Sequence, residues 1–219
     1  MINEGFEFLD DIPNSDPGGK VQSIFVNDKA KEALDRLLEG NERFRTGRGS
    51  HYTYSPEIIE RLATGQAPQA AVVACSDGRV TPEIVFDQPL TNLFVSRVPG
   101  NVASDSAKWM LEIAVTNLQV PLVVVMGHTR CLAIKQVIDG AEGAGGSLRD
   151  DVAKAVNEVR KREVEDLFLE SVKRNAIQTV ENLRNESSAV RQALQEGRIS
   201  LAAGYYDVDT GQVHIVESE

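Results

Sequence analysis

Three short β-branched runs restrict the fold of this chain more than any other feature. "AAVVAC" (70–75), "NLFVSRV" (92–98) and "PLVVVMGH" (121–128) lack the strict alternation of apolar and polar residues that a half-exposed strand shows. Strands of this kind are covered on both faces, and that cover comes from crossover helices above and below a parallel sheet. Helical stretches do lie between the runs, clearest from Ser104 to Leu118. The pattern is that of βαβ units, so an α/β fold is expected, with its ligand site beyond the carboxyl ends of the strands.

The flanking segments fit one domain. From Asp28, Ala30, Ala33, Leu34, Leu37, Leu38 and Phe44 recur at helical spacing and stop near Gly47. "SPEIIERLATG" predicts a second helix, capped by Ser55, with Pro56 in its first turn and Gly65 at its end. After a flexible break at "GAEGAGGS" (140–147), one long charged helix is expected, with Val164, Leu167, Phe168, Val172, Ile177, Val180 and Leu183 on its apolar side. A shorter helix runs up to Gly197, and "ISLAAGYYDVDTGQVHIVES" reads as a hairpin turning at "DVDTG". Residues 1–27, which mix acidic and apolar residues around "PNSDPGG", read as an N-terminal arm, and 28–219 as a single catalytic domain.

Charge and cysteine content narrow the function classes. The chain carries 33 acidic and 23 basic residues, a formal charge of −10, which argues against nucleic acid or an anionic membrane as partner. No apolar run approaches the ~20 residues needed to span a bilayer, and the start is acidic where a signal peptide is basic, so a soluble, cytoplasmic protein is expected. A reducing cytosol keeps its two cysteines, Cys75 and Cys131, as thiols available for metal, catalysis or packing.

Cys75 ends one apolar run, and His128 ends another with Cys131 three residues later in "GHTRCLA". If the helix after Gly127 starts near Thr129, all three side chains can face one point in front of the sheet. Two thiolates and an imidazole suit zinc, and three protein ligands leave a fourth position for water. Two thiolates also cancel the 2+ charge, so an acceptor beside that water gains importance. In an extended segment Asp77 and Arg79 share the side of Cys75, and Arg79 can clamp the Asp77 carboxylate away from the metal. Each residue alone has a plainer reading: buried thiols, a turn acid, a surface base, a satisfied strand-end histidine. A redox pair is disfavoured because His-x-x-Cys lacks dithiol spacing. A non-catalytic zinc-binding or interaction protein, presenting its charged helices from Asp150 to Gly197, remains an alternative.

"ACSDGRVTPEIVFDQ", "NLFVSRVPGNV", "LEIAVTNLQVPLVVVMGHTRCLAI" and "GYYDVDTGQV" resemble the β-class carbonic anhydrases over residues 28–217. The resemblance implies a three-layer α/β fold with a mainly parallel four- to five-stranded sheet and an N-terminal helical arm. It implies one Zn2+ per subunit bound by Cys75, His128 and Cys131, and Asp77 and Arg79 as catalytic dyad. It further implies a homodimer, often assembled to a tetramer, and hydration of CO2 to bicarbonate and a proton. The family's regulatory tryptophan would fall at Val72, and Gln66 and Phe94 match pocket residues of members with an open metal position.

Two departures bear on substrate. Leu132 stands where the family usually has glycine, and Ile113 where many open members have tyrosine. A smaller, drier pocket leaves an anion underpaired but costs a linear neutral substrate less. Carbonyl sulfide, or carbon disulfide, is therefore an alternative substrate, hydrolysed to hydrogen sulfide, since the resemblance extends to the family's carbonyl sulfide hydrolases.

Overall fold

The structure is a computed structural model and describes residues 27–141, 143 and 145–218; the expected arm, apart from Asn27, lies outside the described residues. Eight α-helices are found among these residues: α1 (Asp28–Arg45), α2 (Pro56–Leu62), α3 (Pro82–Val85), α4 (Asp105–Thr116), α5 (Leu132–Ile138), α6 (Gly146–Val159), α7 (Leu167–Glu186) and α8 (Ser188–Gln195). The strands are β1 (Ala70–Ala74), β2 (Leu93–Arg97), β3 (Leu122–His128), β4 (Ser200–Tyr206) and β5 (Val213–Ser218), in the order β2-β1-β3-β4-β5. The first four are parallel and β5 runs antiparallel to β4, so the expected mainly parallel sheet and hairpin are both present.

The sheet divides the core into layers, because alternate side chains of each strand face opposite ways. Ala71 and Val73 of β1 and Val123 and Val125 of β3 pack against Leu111 of α4, Val180 of α7 and Val190 of α8. Val72, Val124 and Met126 face the other way, onto Ala33, Leu34 and Leu37 of α1 and onto Phe86. Both faces of β1 and β3 are thus covered, which is why neither sequence alternates. On the α1 side the layers close tightly: a Cβ on Gly40 would lie 1.9 Å from the Phe86 carbonyl oxygen, so only glycine lets the helix approach.

Local signals set most boundaries. Asn27 caps α1, Ser55 caps α2 and Ser104 caps α4, each accepting a backbone N–H of the first turn. Helix α2 ends at Leu62, short of Gly65, and buries none of its residues. The expected long charged helix is two. Asp166 accepts the N–H groups of Phe168 and Leu169 at 2.9 Å and so starts α7 afresh, leaving Val164 in the connection after α6. Neither proline nor glycine marks that break, so apolar spacing alone runs through it.

Strand order locates the crevice. From β1 the chain winds outward to β2, then returns past β1 to β3 and continues to β4. The direction of winding reverses between β1 and β3, and at such a switch point the carboxyl ends of two strands open a ligand-sized gap.

Candidate metal centre

Cys75 follows the last residue of β1, His128 is the last residue of β3, and Cys131 is the N-cap of α5, so all three stand at the switch point. They are buried, and one ligand atom from each lies within 4.8 Å of the others. Val102, Ile134, Val137, Val152, Val156 and Val172 close around the sulfurs from α5, α6, α7 and the segment before α4. Helix α5 starts later than Thr129, at Leu132, because Thr129 is bonded to Tyr206 and Arg130 adopts a left-handed conformation (φ 57°).

The donor set fits a soft divalent cation. His128 gives its Nδ1–H to the Thr129 carbonyl at 2.8 Å, because a carbonyl can only accept. The Nε2 lone pair is then left buried without a hydrogen-bond partner, a state expected of a ligand nitrogen. Beside it, a hydrogen bond from Cys131 holds the Cys75 thiol well below its ordinary value against the opposing effect of burial, with further help from the backbone N–H groups of Asp77 and Gly100. Cys131 is pushed up, first by holding that shared proton and then by its burial. A cation replacing the shared proton leaves two thiolates and one neutral imidazole, which is a zinc set with one position open.

Asp77 and Arg79 stand at the rim. The Arg79 Nε donates to Asp77 Oδ1 at 2.9 Å and Nη2 to Oδ2 at 2.7 Å, while the Arg79 backbone N–H also reaches Oδ1 at 3.0 Å. The Arg79 guanidinium holds the Asp77 carboxyl well below the usual carboxylate range, outweighing partial burial. The segment is a tight turn, closed by Val80 N–H to the Asp77 carbonyl at 3.0 Å, and not the extended run expected; the side chains meet through this turn.

Sequence reasoning missed Arg97. From the end of β2 its Nε donates to the Cys75 carbonyl at 3.0 Å and its Nη2 to the Asp77 carbonyl, fixing the loop that carries both side chains. The available signal was an arginine ending the apolar run "LFVSR", in register with Ala74. The expected pocket residues do not gather about the sulfurs within the chain. Gln66 is exposed in the loop after α2, Phe94 is half-buried against the layer formed by α4, α7 and α8, and Ile113 is half-buried on α4. Leu132, next to Cys131, opens α5 and is 63% exposed. Val72 is buried beneath α1.

A carbonic anhydrase family profile matches residues 70–213. Carbonic anhydrase 2 of Mycobacterium tuberculosis is 36% identical over 185 residues, covering 82% of this chain and 89% of that protein. The β-carbonic anhydrase CcaA superposes with a TM-score of 0.65 at 26% identity, over 86% of this chain and 93% of that one. A tetrameric β-carbonic anhydrase of Sordaria macrospora, 19% identical with a TM-score of 0.61, shares the fold over 85% of this chain and 94% of its own. With profile, sequence and architecture in agreement, the chain belongs to the β-class carbonic anhydrase family.

Proposed function

We propose that this protein is a zinc enzyme that hydrates CO2, giving bicarbonate and a proton, with Cys75, His128 and Cys131 as ligands and Asp77 and Arg79 as the dyad beside them. The observation that carries this reading is the Asp77–Arg79 clamp at the mouth of a buried cysteine-histidine-cysteine triad. Zinc, when bound, supplies the positive charge that acidifies a water at neutral pH. Asp77 offers about four lone-pair sites, and Arg79 occupies three, two on Oδ1 and one on Oδ2. One site on Oδ2 is left to accept a hydrogen bond from the attacking water. Because Arg79 keeps the carboxylate ionised, Asp77 orients that water as an acceptor and does not hold its proton. The same clamp ties up the oxygens that would otherwise compete for the open metal position, and Arg97 keeps the loop from drifting.

The proposed working unit is a homodimer, assembling further to a tetramer as the Sordaria macrospora enzyme does. Exposed apolar side chains at Ile59 of α2 and Trp109 of α4 suit contact with a second copy. Among the described residues no helix is long and apolar enough to cross a membrane, and the proposed compartment is the cytoplasm, where thiols stay reduced. Carbonyl sulfide is the second candidate substrate, on the ground of the exposed apolar Leu132 adjoining Cys131 and of Ile113.

Both readings are tested by offering purified protein each gas and following the release of protons and of hydrogen sulfide. Fast proton release from CO2 without hydrogen sulfide from carbonyl sulfide is expected; hydrogen sulfide release with slow CO2 hydration would reverse the order. Asp77→Asn should keep zinc and lose ~10²-fold or more in rate, whereas Cys131→Ser should lose zinc itself. Bound zinc without measurable turnover in the wild type, so that Asp77→Asn changes nothing in any hydration assay, would favour the non-catalytic alternative.

A further inference from the structure

We propose that Asp207, in the hairpin turn between β4 and β5, is a positioning residue for His128 and acts through Thr129. The proposal rests on the reading of Cys75, His128 and Cys131 as the metal centre. The direction in which the His128 ring presents Nε2 depends on the carbonyl that receives its Nδ1–H, and that carbonyl belongs to Thr129. Every other polar group of Thr129 is spent on the hairpin. Its N–H donates to the Tyr206 carbonyl at 2.9 Å, its hydroxyl oxygen accepts the Val208 N–H at 3.0 Å, and its hydroxyl proton goes to Asp207 Oδ1 at 3.2 Å.

A hydroxyl carries one proton, so the Asp207 acceptor decides how Thr129 Oγ1 is oriented and which lone pair meets Val208. Asp207 is itself held. Its Oδ1 accepts the Asp209 N–H at 3.0 Å and its Oδ2 the Thr210 hydroxyl at 2.8 Å. The turn is closed by Asp207 N–H to the Gln212 carbonyl and Gly211 N–H to the Asp207 carbonyl, both at 2.8 Å. It is moored from the far side by Asn41 of α1, which donates to the Gly211 carbonyl and accepts the Val213 N–H, both at 2.8 Å. Arg130, the next residue of the metal loop, pairs with Asp209 at 2.7 Å. Helix α1, the hairpin and the metal loop are therefore joined in series, and the last link sets tautomer and aim of the ligand imidazole.

The test uses full-length protein loaded with Zn2+ or Co2+. Thr129→Val keeps the side-chain shape without the hydroxyl, Thr129→Ser restores the hydroxyl, and Asp207→Ala removes the acceptor. Thr129→Val and Asp207→Ala should release zinc to a competing chelator roughly 10–100-fold faster than wild type. The double variant should be no faster than either single one, because both cut one path. Thr129→Ser should return to within about threefold of wild type, and the visible spectrum of the Co2+ form should shift in Thr129→Val alone of the two threonine variants. Release rates within about twofold of wild type, with only thermal stability lost, would make the contact merely structural and overturn the proposal. Should those variants not fold, Asp207→Asn, which keeps an acceptor oxygen for the turn but loses the charge, should speed release several-fold; a wild-type rate there also overturns it. A wild-type protein that binds no zinc would remove the metal-centre reading itself, whereas equal zinc binding by wild type and variants removes only the role of Asp207.

Discussion

Replacing Arg79 by alanine should separate catalysis from stability. A hydrogen bond to a charged partner contributes about 1.5–3 kcal/mol where it is shielded from water. Here the arginine side chain is 51% exposed and the aspartate 17%, so solvent screening reduces the whole clamp to ~1 kcal/mol. In a chain of this length that is ~2–4 °C in melting temperature. The sign with pH follows from the depressed Asp77 carboxyl: its stabilisation is present above the ordinary carboxylate value and fades as acid protonates it, so the cost of Arg79→Ala should shrink toward pH 3. Catalysis should suffer far more. Alanine keeps the backbone N–H to Oδ1 but frees the two lone pairs taken by Nε and Nη2, and the carboxylate can rotate toward the metal. Misplacement of this order costs ~10²-fold in rate. Stopped-flow proton release from CO2, zinc content and a thermal melt on the same preparation measure all three quantities. Arg79→Lys, which restores charge but not the two-pronged geometry, should recover stability and not rate. Activity of Arg79→Ala within about threefold of wild type, with zinc retained, would refute the reasoning, as would a rate loss no larger than the fraction unfolded.

Two further predictions concern the scaffold. Asp87 is nearly buried, which by itself raises its carboxyl, yet Arg43 at 2.6 Å and the N–H and hydroxyl of Ser50 hold it below the usual range. Its contribution is complete above about pH 4–5 and lost on acidification, so wild type should lose stability more steeply than Asp87→Asn between about pH 5 and 3 in urea titrations; parallel curves would count against this assignment. Gly40→Ala places a methyl 1.9 Å from the Phe86 carbonyl oxygen and should cost about 3 kcal/mol or more in denaturant unfolding, and a cost below about 1 kcal/mol would mean α1 shifts freely.

The layered α/β fold is legible because Val72, Val73 and the run 122–126 are buried on both sides of the sheet, and that burial writes itself as unbroken apolar sequence. Cys75 and His128 can be placed at strand ends for the same reason. What the sequence hides is carried by turns and side-chain bonds of long reach. Asp166 restarts a helix without any break in apolar spacing, and Asp77 meets Arg79 through a turn where alternation suggests an extended strand. Arg97, Thr129 and Asp207 act from three separate parts of the chain, and no local pattern announces bonds that exist only once β2, β3 and β4 belong to one sheet. Gln66, Phe94, Ile113 and Leu132 read as pocket residues through the resemblance; in the chain Gln66 and Leu132 are exposed and Phe94 and Ile113 half-buried.

The mooring of the metal loop to the turn after β4 has a consequence for the timing of synthesis. Cys75 is made early, but Thr129 cannot receive its hairpin partners until residues 206–213 have followed. At ~5–20 residues per second, the interval from position 75 to 213 is on the order of ten seconds. Throughout it the nascent chain carries thiols that have no finished cradle to hold an ion. On the proposed reading of these residues as ligands, metal acquisition belongs to the completed sheet and follows translation.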